Sequence, residues 1–208
     1  LKFRILIERE RDHEYHAEHF DGRWIIRTNW LAPDFRLVQV PVGEEADRTR
    51  WQELVAPAAG TFIHRFDVFR DFVAIEERSG GLRKVRVRPW KGGEAFCLAS
   101  DEPAYRMTLG DNEELDSNVL RYTYTSLTTP LTTYDIDLHT GERTLLKQEP
   151  VLGGFDPGQY ATDYLWVPAR DGEQVPVAVV HRKGLPLDGR APLLQYAYGS
   201  YGLSTDPV

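Results

Sequence analysis

A pair of neighbouring strand-like runs recurs three times along the chain, and this repeat constrains the fold more than any other feature. The first runs of the three pairs are RWIIRTN at residues 23–29, DFVAIEERSGG at 71–81 and VLRYTYTSLTTP at 119–130. Trp24, Phe72 and Val119 are spaced by about 47 or 48 residues, in the range of a four-stranded propeller blade. The spacing therefore favours successive blades of a β-propeller.

Further runs around each pair supply the remaining strands of a blade. Each pair is completed by a second strand-like run, at residues 35–40, 82–87 and 133–138. Another strand-like run precedes each pair, and a tail at residues 140–148 adds a fourth strand to the last. We predict a mainly β fold with a partial propeller of about three blades at residues 1–148. A β-sandwich with accidental spacing is the alternative.

The pattern changes after residue 148. Pro and Gly concentrate in EPVLGGFDPG, and we predict an inter-domain linker at residues 149–158. Residues 164–169 and 175–182 then form a predicted hairpin around the turn RDGEQ. The apolar run PLLQYAYG at 192–199 predicts a third strand, buried on both faces of a mixed sheet. Residues 159–208 are thus predicted to begin a second domain.

Charge and hydropathy argue against two classes of partner. The chain has 25 Lys and Arg against 32 Asp and Glu, a formal net charge of -7. Nucleic-acid affinity depends instead on clustered Lys and Arg that release counterions from the phosphates. No apolar run is long enough to cross a bilayer. Neither nucleic acid nor membrane is an expected partner.

Reactive and metal-binding side chains give weak signals. The single cysteine, Cys97, fits a reducing compartment, which predicts a cytoplasmic location. It is expected to be a small buried side chain, since no His or basic cluster adjoins it in sequence. His13, His16 and His19 alternate faces on a strand and are expected to be solvated or packed. No metal and no cofactor is predicted.

Two acidic stretches are better explained by structure than by chemistry. The run from Asp111 to Asp116 lacks the spacing and central Gly of a calcium loop, so a solvated loop is expected. Asp101 and Glu102 could attract a basic substrate, but a turn at the edge of a blade is favoured. Ser200 lacks the first Gly of the G-x-S-x-G nucleophile pattern and is not proposed as a nucleophile.

Seven motifs, taken in order, resemble oligopeptidase B (protease II) of the prolyl oligopeptidase family of serine peptidases. They are RDHEY at 11–15, IEERSGGL at 75–82, DEPAY at 101–105, RYTYTSLTTP at 121–130, DLHTGERTLLKQ at 137–148, ARDGEQVPV at 169–177 and YAYGSYG at 196–202. The resemblance implies an internal fragment: the C-terminal blades of a seven-bladed β-propeller, followed by the first strands of an α/β-hydrolase peptidase domain.

The same resemblance assigns roles within YAYGSYG. Tyr198 matches the tyrosine whose hydroxyl donates to the oxyanion, and Tyr201 matches a substrate-binding aromatic, although loop packing would also explain it. Gly199 and Gly202 are expected to form the turn. Ala197 replaces a glycine that is common in the family, and it would strain the turn only if that position required a positive φ.

The resemblance finally implies an activity. The expected reaction is hydrolysis of short peptides after Arg or Lys by a Ser-Asp-His triad, which lies beyond Val208, so the isolated chain is expected to be inactive. A non-catalytic, propeller-derived binding module is the alternative.

Overall fold

The structure is a computed structural model that describes residues 3–208 and consists almost entirely of β-strands. The chain divides into two compact units. The first unit contains residues 3–80, Val85–Cys97 and Glu113–Ser117, and the second contains Gly81–Lys84, Leu98–Asn112 and Asn118–Val208. Within the described range there is no helix long and apolar enough to span a bilayer.

Two antiparallel sheets build the first unit. The first sheet has the order β1 (Tyr15–Phe20), β2 (Arg23–Thr28), β3 (Arg36–Pro41) and β4 (Gln52–Val55). The second runs from β5 (Thr61–Val68) through β6 (Phe72–Ser79) and β7 (Leu82–Pro89) to β8 (Phe96–Cys97), although the first three residues of β7 belong to the second unit. Asp21 and Gly22 link β1 to β2 with positive φ at both positions, as a two-residue hairpin with the favoured twist requires.

The interior of the first unit is apolar and well covered. Neighbouring Ile25 and Ile26 are both completely buried, because successive side chains of β2 point to opposite faces and each face packs on a separate cluster. The larger cluster joins both sheets; its buried members are Phe20, Ile25, Phe35, Leu37, Val55, Ile63, Phe66, Val68, Val73 and Ile75. The guanidinium of Arg27 stacks 3.3 Å above the Phe35 ring and donates to the Ile63 carbonyl at 2.7 Å.

The second unit contains a four-stranded antiparallel sheet and a separate hairpin. The sheet has the order β9 (Tyr105–Leu109), β10 (Val119–Ser126), β11 (Thr132–Asp137) and β12 (Arg143–Gln148). The hairpin pairs β13 (Tyr160–Pro168) with β14 (Gln174–Arg182) over nine residue pairs. A parallel pairing between Arg83 and Arg106 joins the start of β7 to β9.

The three predicted hairpins are all present, as β2–β3, β6–β7 and β10–β11, and each is preceded by the predicted additional strand. The mainly β prediction is therefore confirmed. The hairpin predicted after the linker also forms, although β13 begins four residues before the predicted Tyr164.

Two expectations are wrong. Residues 192–199 do not form a strand, and Leu193 and Leu194 are 84% and 92% exposed rather than buried. An apolar run becomes a buried strand only where neighbouring strands pair with it, and the hairpin β13–β14 does not. Cys97 is exposed because it lies on the short edge strand β8, which pairs with β7 alone.

Candidate functional site

The four residues assigned by resemblance lie together in one closed turn near the end of the chain. Residues 200–202 form a single 3-10 turn, and Thr205 closes the loop around it. The Thr205 hydroxyl oxygen accepts a hydrogen bond from the Tyr198 amide at 3.0 Å and lies 3.4 Å from the Tyr198 carbonyl, to which it donates. The backbone of Tyr198 is thus held from both sides by one side chain.

Gly199 and Gly202 differ in their backbone angles. Gly202 has a φ of 69°, where glycine is favoured, whereas Gly199 has a φ of -149°, outside the left-handed region. The residue that does adopt a left-handed conformation is Tyr201, with φ 57° and ψ 31°. Ala197 is not among the residues with positive φ, so its replacement of glycine introduces no strain.

The two tyrosine side chains differ in exposure. Tyr198 is 48% exposed and Tyr201 is 93% exposed. A phenol hydroxyl both donates and accepts hydrogen bonds, so Tyr198 can offer a donor to a group placed next to the turn. The arrangement can therefore position a single neutral hydrogen-bond donor on a backbone that is fixed locally.

Thr205 and Asp206, two residues that sequence reasoning missed, hold this turn and connect it to two arginines of the same unit. Asp206 follows the closing Thr205, and its carboxylate lies 3.6 Å from Arg83 Nε and 3.8 Å from an Arg106 guanidinium nitrogen. The side chain of Asp206 is only 8% exposed. No sequence signal pointed to this contact, because the partners are separated by about a hundred residues along the chain.

Glu102 proves to be a structural residue of the blade formed by β9–β12. Its carboxylate accepts hydrogen bonds from the four hydroxyls of Tyr124, Ser126, Thr128 and Thr129, at 2.5 to 2.8 Å. Burial opposes ionisation of Glu102, but these donors outweigh it and lower its pKa. Glu102 thus stabilises the turn after β10, in line with the structural role favoured from the sequence. Asp101 is exposed.

The three histidines and the acidic run also make structural contacts. His13 hydrogen-bonds to Thr28 Oγ1 at 2.9 Å, while His16 and His19 pack edge-on against Phe66 and Trp24. Asp116, at the end of the acidic run, pairs with Arg70. Across residues 3–208, no three His, Cys, Asp or Glu side chains are grouped closely enough to hold a metal ion.

Successive antiparallel sheets at the predicted repeat place the chain among β-propeller proteins. The family described as "Prolyl oligopeptidase, N-terminal beta-propeller domain" matches residues 2–149. The chain belongs to the prolyl oligopeptidase family, and the resemblance seen in the sequence is confirmed.

Relatives in this family are serine peptidases. The chain is 46% identical to dipeptidyl aminopeptidase BI of Pseudoxanthomonas mexicana over 207 residues, covering 99% of this chain and 28% of that protein. It is 33% identical to protease 2 of Moraxella lacunata, covering 97% of this chain and 29% of that protein. The chain therefore spans less than a third of the length of these relatives.

Solved structures agree with the sequence relatives. Oligopeptidase B from Trypanosoma brucei, with covalently bound antipain in its closed form, superposes with a TM-score of 0.83 at 27% identity, covering 95% of this chain and 29% of that one. Oligopeptidase B from Leishmania major gives a TM-score of 0.82 over the same shares. The similarity extends beyond the propeller match, because these superpositions cover nearly the whole chain.

Proposed function

We propose that this chain is the junction between propeller and catalytic domain of a serine oligopeptidase that hydrolyses short peptides after Arg or Lys. The similarity along 97% of the chain to protease 2 carries this proposal. The superposition on oligopeptidase B supports it independently. Residues 1–148 contribute propeller blades, residues 149–158 the linker, and residues 159–208 the first part of the peptidase domain.

Tyr198 is the oxyanion donor in this proposal. When a serine attacks a peptide carbonyl, negative charge develops on the carbonyl oxygen, and a preorganised donor stabilises it. The fixed backbone of Tyr198 supports this role, because a donor that is already oriented needs little reorganisation during the reaction. Tyr201 contacts the substrate from the same turn.

The remaining catalytic groups lie outside this chain. No residue here matches the nucleophile, acid or base of the family, so the 208-residue chain alone does not hydrolyse peptides. The protein acts in the cytoplasm, which the single cysteine supports. Its partners are short peptides with a basic residue at the cleaved position.

A second candidate function follows from the 46% identity to a dipeptidyl aminopeptidase. Such an enzyme removes two residues from a free N-terminus, whereas an endopeptidase also accepts a substrate whose α-amino group is blocked. The two candidates share the chemistry at Tyr198 and differ only in whether a free ammonium group is required.

The complete protein tests both candidates with Ala-Arg 4-nitroanilide, its Nα-acylated form and Ala-Pro 4-nitroanilide. The proposal expects cleavage of both Arg substrates; cleavage of the free form alone would favour the dipeptidyl activity. Preference for Ala-Pro would contradict the basic specificity. Absence of turnover on all three would favour the non-catalytic binding module.

Tyr198→Phe in the complete protein tests the residue assignment. Loss of an oxyanion donor typically lowers kcat by about 100- to 1,000-fold. Tyr196→Phe is the matched control, because Tyr196 lies two residues away and is 77% exposed. Equal activities for the two variants would remove Tyr198 from the catalytic machinery.

A further inference from the structure

Two arginines face each other where β7 meets β9. Arg83 and Arg106 are directly paired across these parallel strands, so their side chains leave the same face of the sheet. Their side chains are only 29% and 32% exposed. Like charges in this relation repel each other, and the repulsion is relieved when an anion lies between them.

Asp206 supplies that anion. Its carboxylate oxygen Oδ2 contacts both guanidinium groups, at 3.6 Å from Arg83 and 3.8 Å from Arg106. A carboxylate that is 8% exposed would be costly without such partners. Arg83, Arg106 and Asp206 therefore form one ionic cluster, in which the two arginines offset the cost of burying the carboxylate.

Because Asp206 is joined to Thr205 by a peptide bond, the ionic contacts of Asp206 also restrict the position of Thr205. Thr205 precedes Asp206, and its hydroxyl holds both the amide and the carbonyl of Tyr198. A continuous series of contacts thus runs from the paired arginines through Asp206 and Thr205 to Tyr198. Neighbouring Pro207 is also buried, so the segment is held at consecutive positions.

A second contact holds the β13–β14 hairpin at the same end of β7. The Cα of Gly81 is approached so closely that an added Cβ would lie 2.2 Å from Tyr164 Oη and 2.9 Å from Pro176 Cγ. Gly81 and Arg83 are two residues apart. Both the hairpin and the segment that follows Tyr198 therefore contact the chain at the start of β7.

We propose that Asp206 is a positioning residue of the peptidase: held between Arg83 and Arg106, it fixes Thr205 and thereby the location of the Tyr198 hydroxyl. This role rests on the proposed function of Tyr198 as oxyanion donor. Asp206 does not touch the substrate, and its effect is exerted only through the turn.

The complete protein tests the proposal with Asp206→Asn, which keeps the shape of the side chain and removes its charge. Asp188→Asn is the control, because Asp188 pairs with Arg190 in an exposed loop of the same region. Hydrogen exchange of the peptide covering residues 196–205 should accelerate at least tenfold in Asp206→Asn only. Unchanged exchange would overturn the anchoring.

Kinetics separate positioning from structural support. A misplacement of about 1 Å can cost on the order of 100-fold in rate, so kcat should fall at least tenfold while KM changes less than twofold. Asp206→Glu, which keeps the charge, should recover most of the loss. In a Tyr198→Phe background the Asp206 substitution should have almost no further effect on kcat. Independent, multiplicative losses would overturn the positioning role.

Thr205→Val provides a second test if Asp206→Asn fails to fold. It removes the hydroxyl that holds Tyr198 and leaves the three charges intact, with Thr205→Ser as its control. The same loss in kcat is expected for Thr205→Val only, and equal activity of the two variants would overturn the proposal. If Tyr198→Phe is fully active while exchange still accelerates in Asp206→Asn, the oxyanion role fails and the anchoring alone stands.

Discussion

The interior of the first unit and the segment from Tyr160 to Val208 are held by different kinds of contact. In the first unit, completely buried side chains such as Ile25 and Ile75 belong to one continuous apolar cluster. Along the later segment, Trp166 is 51% exposed and Leu194 is 92% exposed. Apolar burial is non-directional, and its stabilisation is the sum of many contacts.

The later segment depends instead on a few specific contacts. The β13–β14 hairpin packs against Gly81, and Asp206 pairs with two arginines. Contacts of this kind fix the orientation of the hairpin and of the final residues, but each contact can be removed by a single substitution. Stability of the first unit therefore rests on burial summed over many side chains, whereas the placement of Tyr198 rests on a few individual residues.

The largest expected effect is on the apolar cluster. Phe66 is 1% exposed, and Phe66→Ala should lower the free energy of unfolding of the chain by about 3–5 kcal/mol, because transfer and cavity costs add. Leu194→Ala, the control in the later segment, should change it by less than about 0.5 kcal/mol. Urea unfolding followed by tryptophan fluorescence measures both, and similar losses would abolish the contrast between the two regions.

The contrast also explains which features the sequence predicts. Apolar alternation and turn residues are local signals, and they locate β2, β6 and β10 because each strand buries its own pattern. The apolar run at 192–199 has the same local signal but forms no strand, since pairing depends on neighbours distant in sequence. Long-range contacts such as Asp206 with Arg83 leave no local pattern at all.

The candidate site is predicted in a similarly partial way. The resemblance identifies the tyrosines of YAYGSYG, but it does not reveal that Thr205 closes their turn. The role of Glu102 does have a signal in retrospect. Ser126, Thr128 and Thr129 fall within one short stretch, and several adjacent hydroxyls on a turn need an acceptor.

An intermediate effect is expected where the hairpin meets β7. Gly81 has a φ of 81°, so Gly81→Ala imposes backbone strain and also forces Cβ against Tyr164 and Pro176. We expect a loss of roughly 2–3 kcal/mol. Gly80→Ala should cost about 1 kcal/mol, because Gly80 has a φ of 58° but a Cβ added there would meet nothing within 4 Å. Thermal unfolding of both variants gives the comparison.

Hydrogen exchange identifies the origin of that loss. In Gly81→Ala, exchange should accelerate along β13 and β14, because the hairpin is displaced. Tyr164→Phe in the same background removes the nearest clashing atom and should recover part of the stability. Equal losses for Gly80→Ala and Gly81→Ala would mean that the hairpin does not rest on Gly81.

The smallest expected effect concerns the polar interior of the blade β9–β12. Glu102→Gln replaces a carboxylate that accepts from four hydroxyls with an amide that has one acceptor oxygen, and should cost about 1 kcal/mol near pH 7 after allowance for partial exposure. Asp101→Asn, at the exposed neighbouring position, should leave stability unchanged.

The pH dependence of Glu102 distinguishes charge from shape. Its pKa in the folded protein lies below the ordinary value of 4.5, so its contribution is complete above pH 4.5 and is lost as pH falls through the folded pKa. The stability difference between the wild-type chain and Glu102→Gln should therefore shrink on acidification below pH 4.5. A difference that stays constant would assign the effect to hydrogen-bond geometry alone, and the turn after β10 would then depend on the shape of Glu102 rather than on its charge.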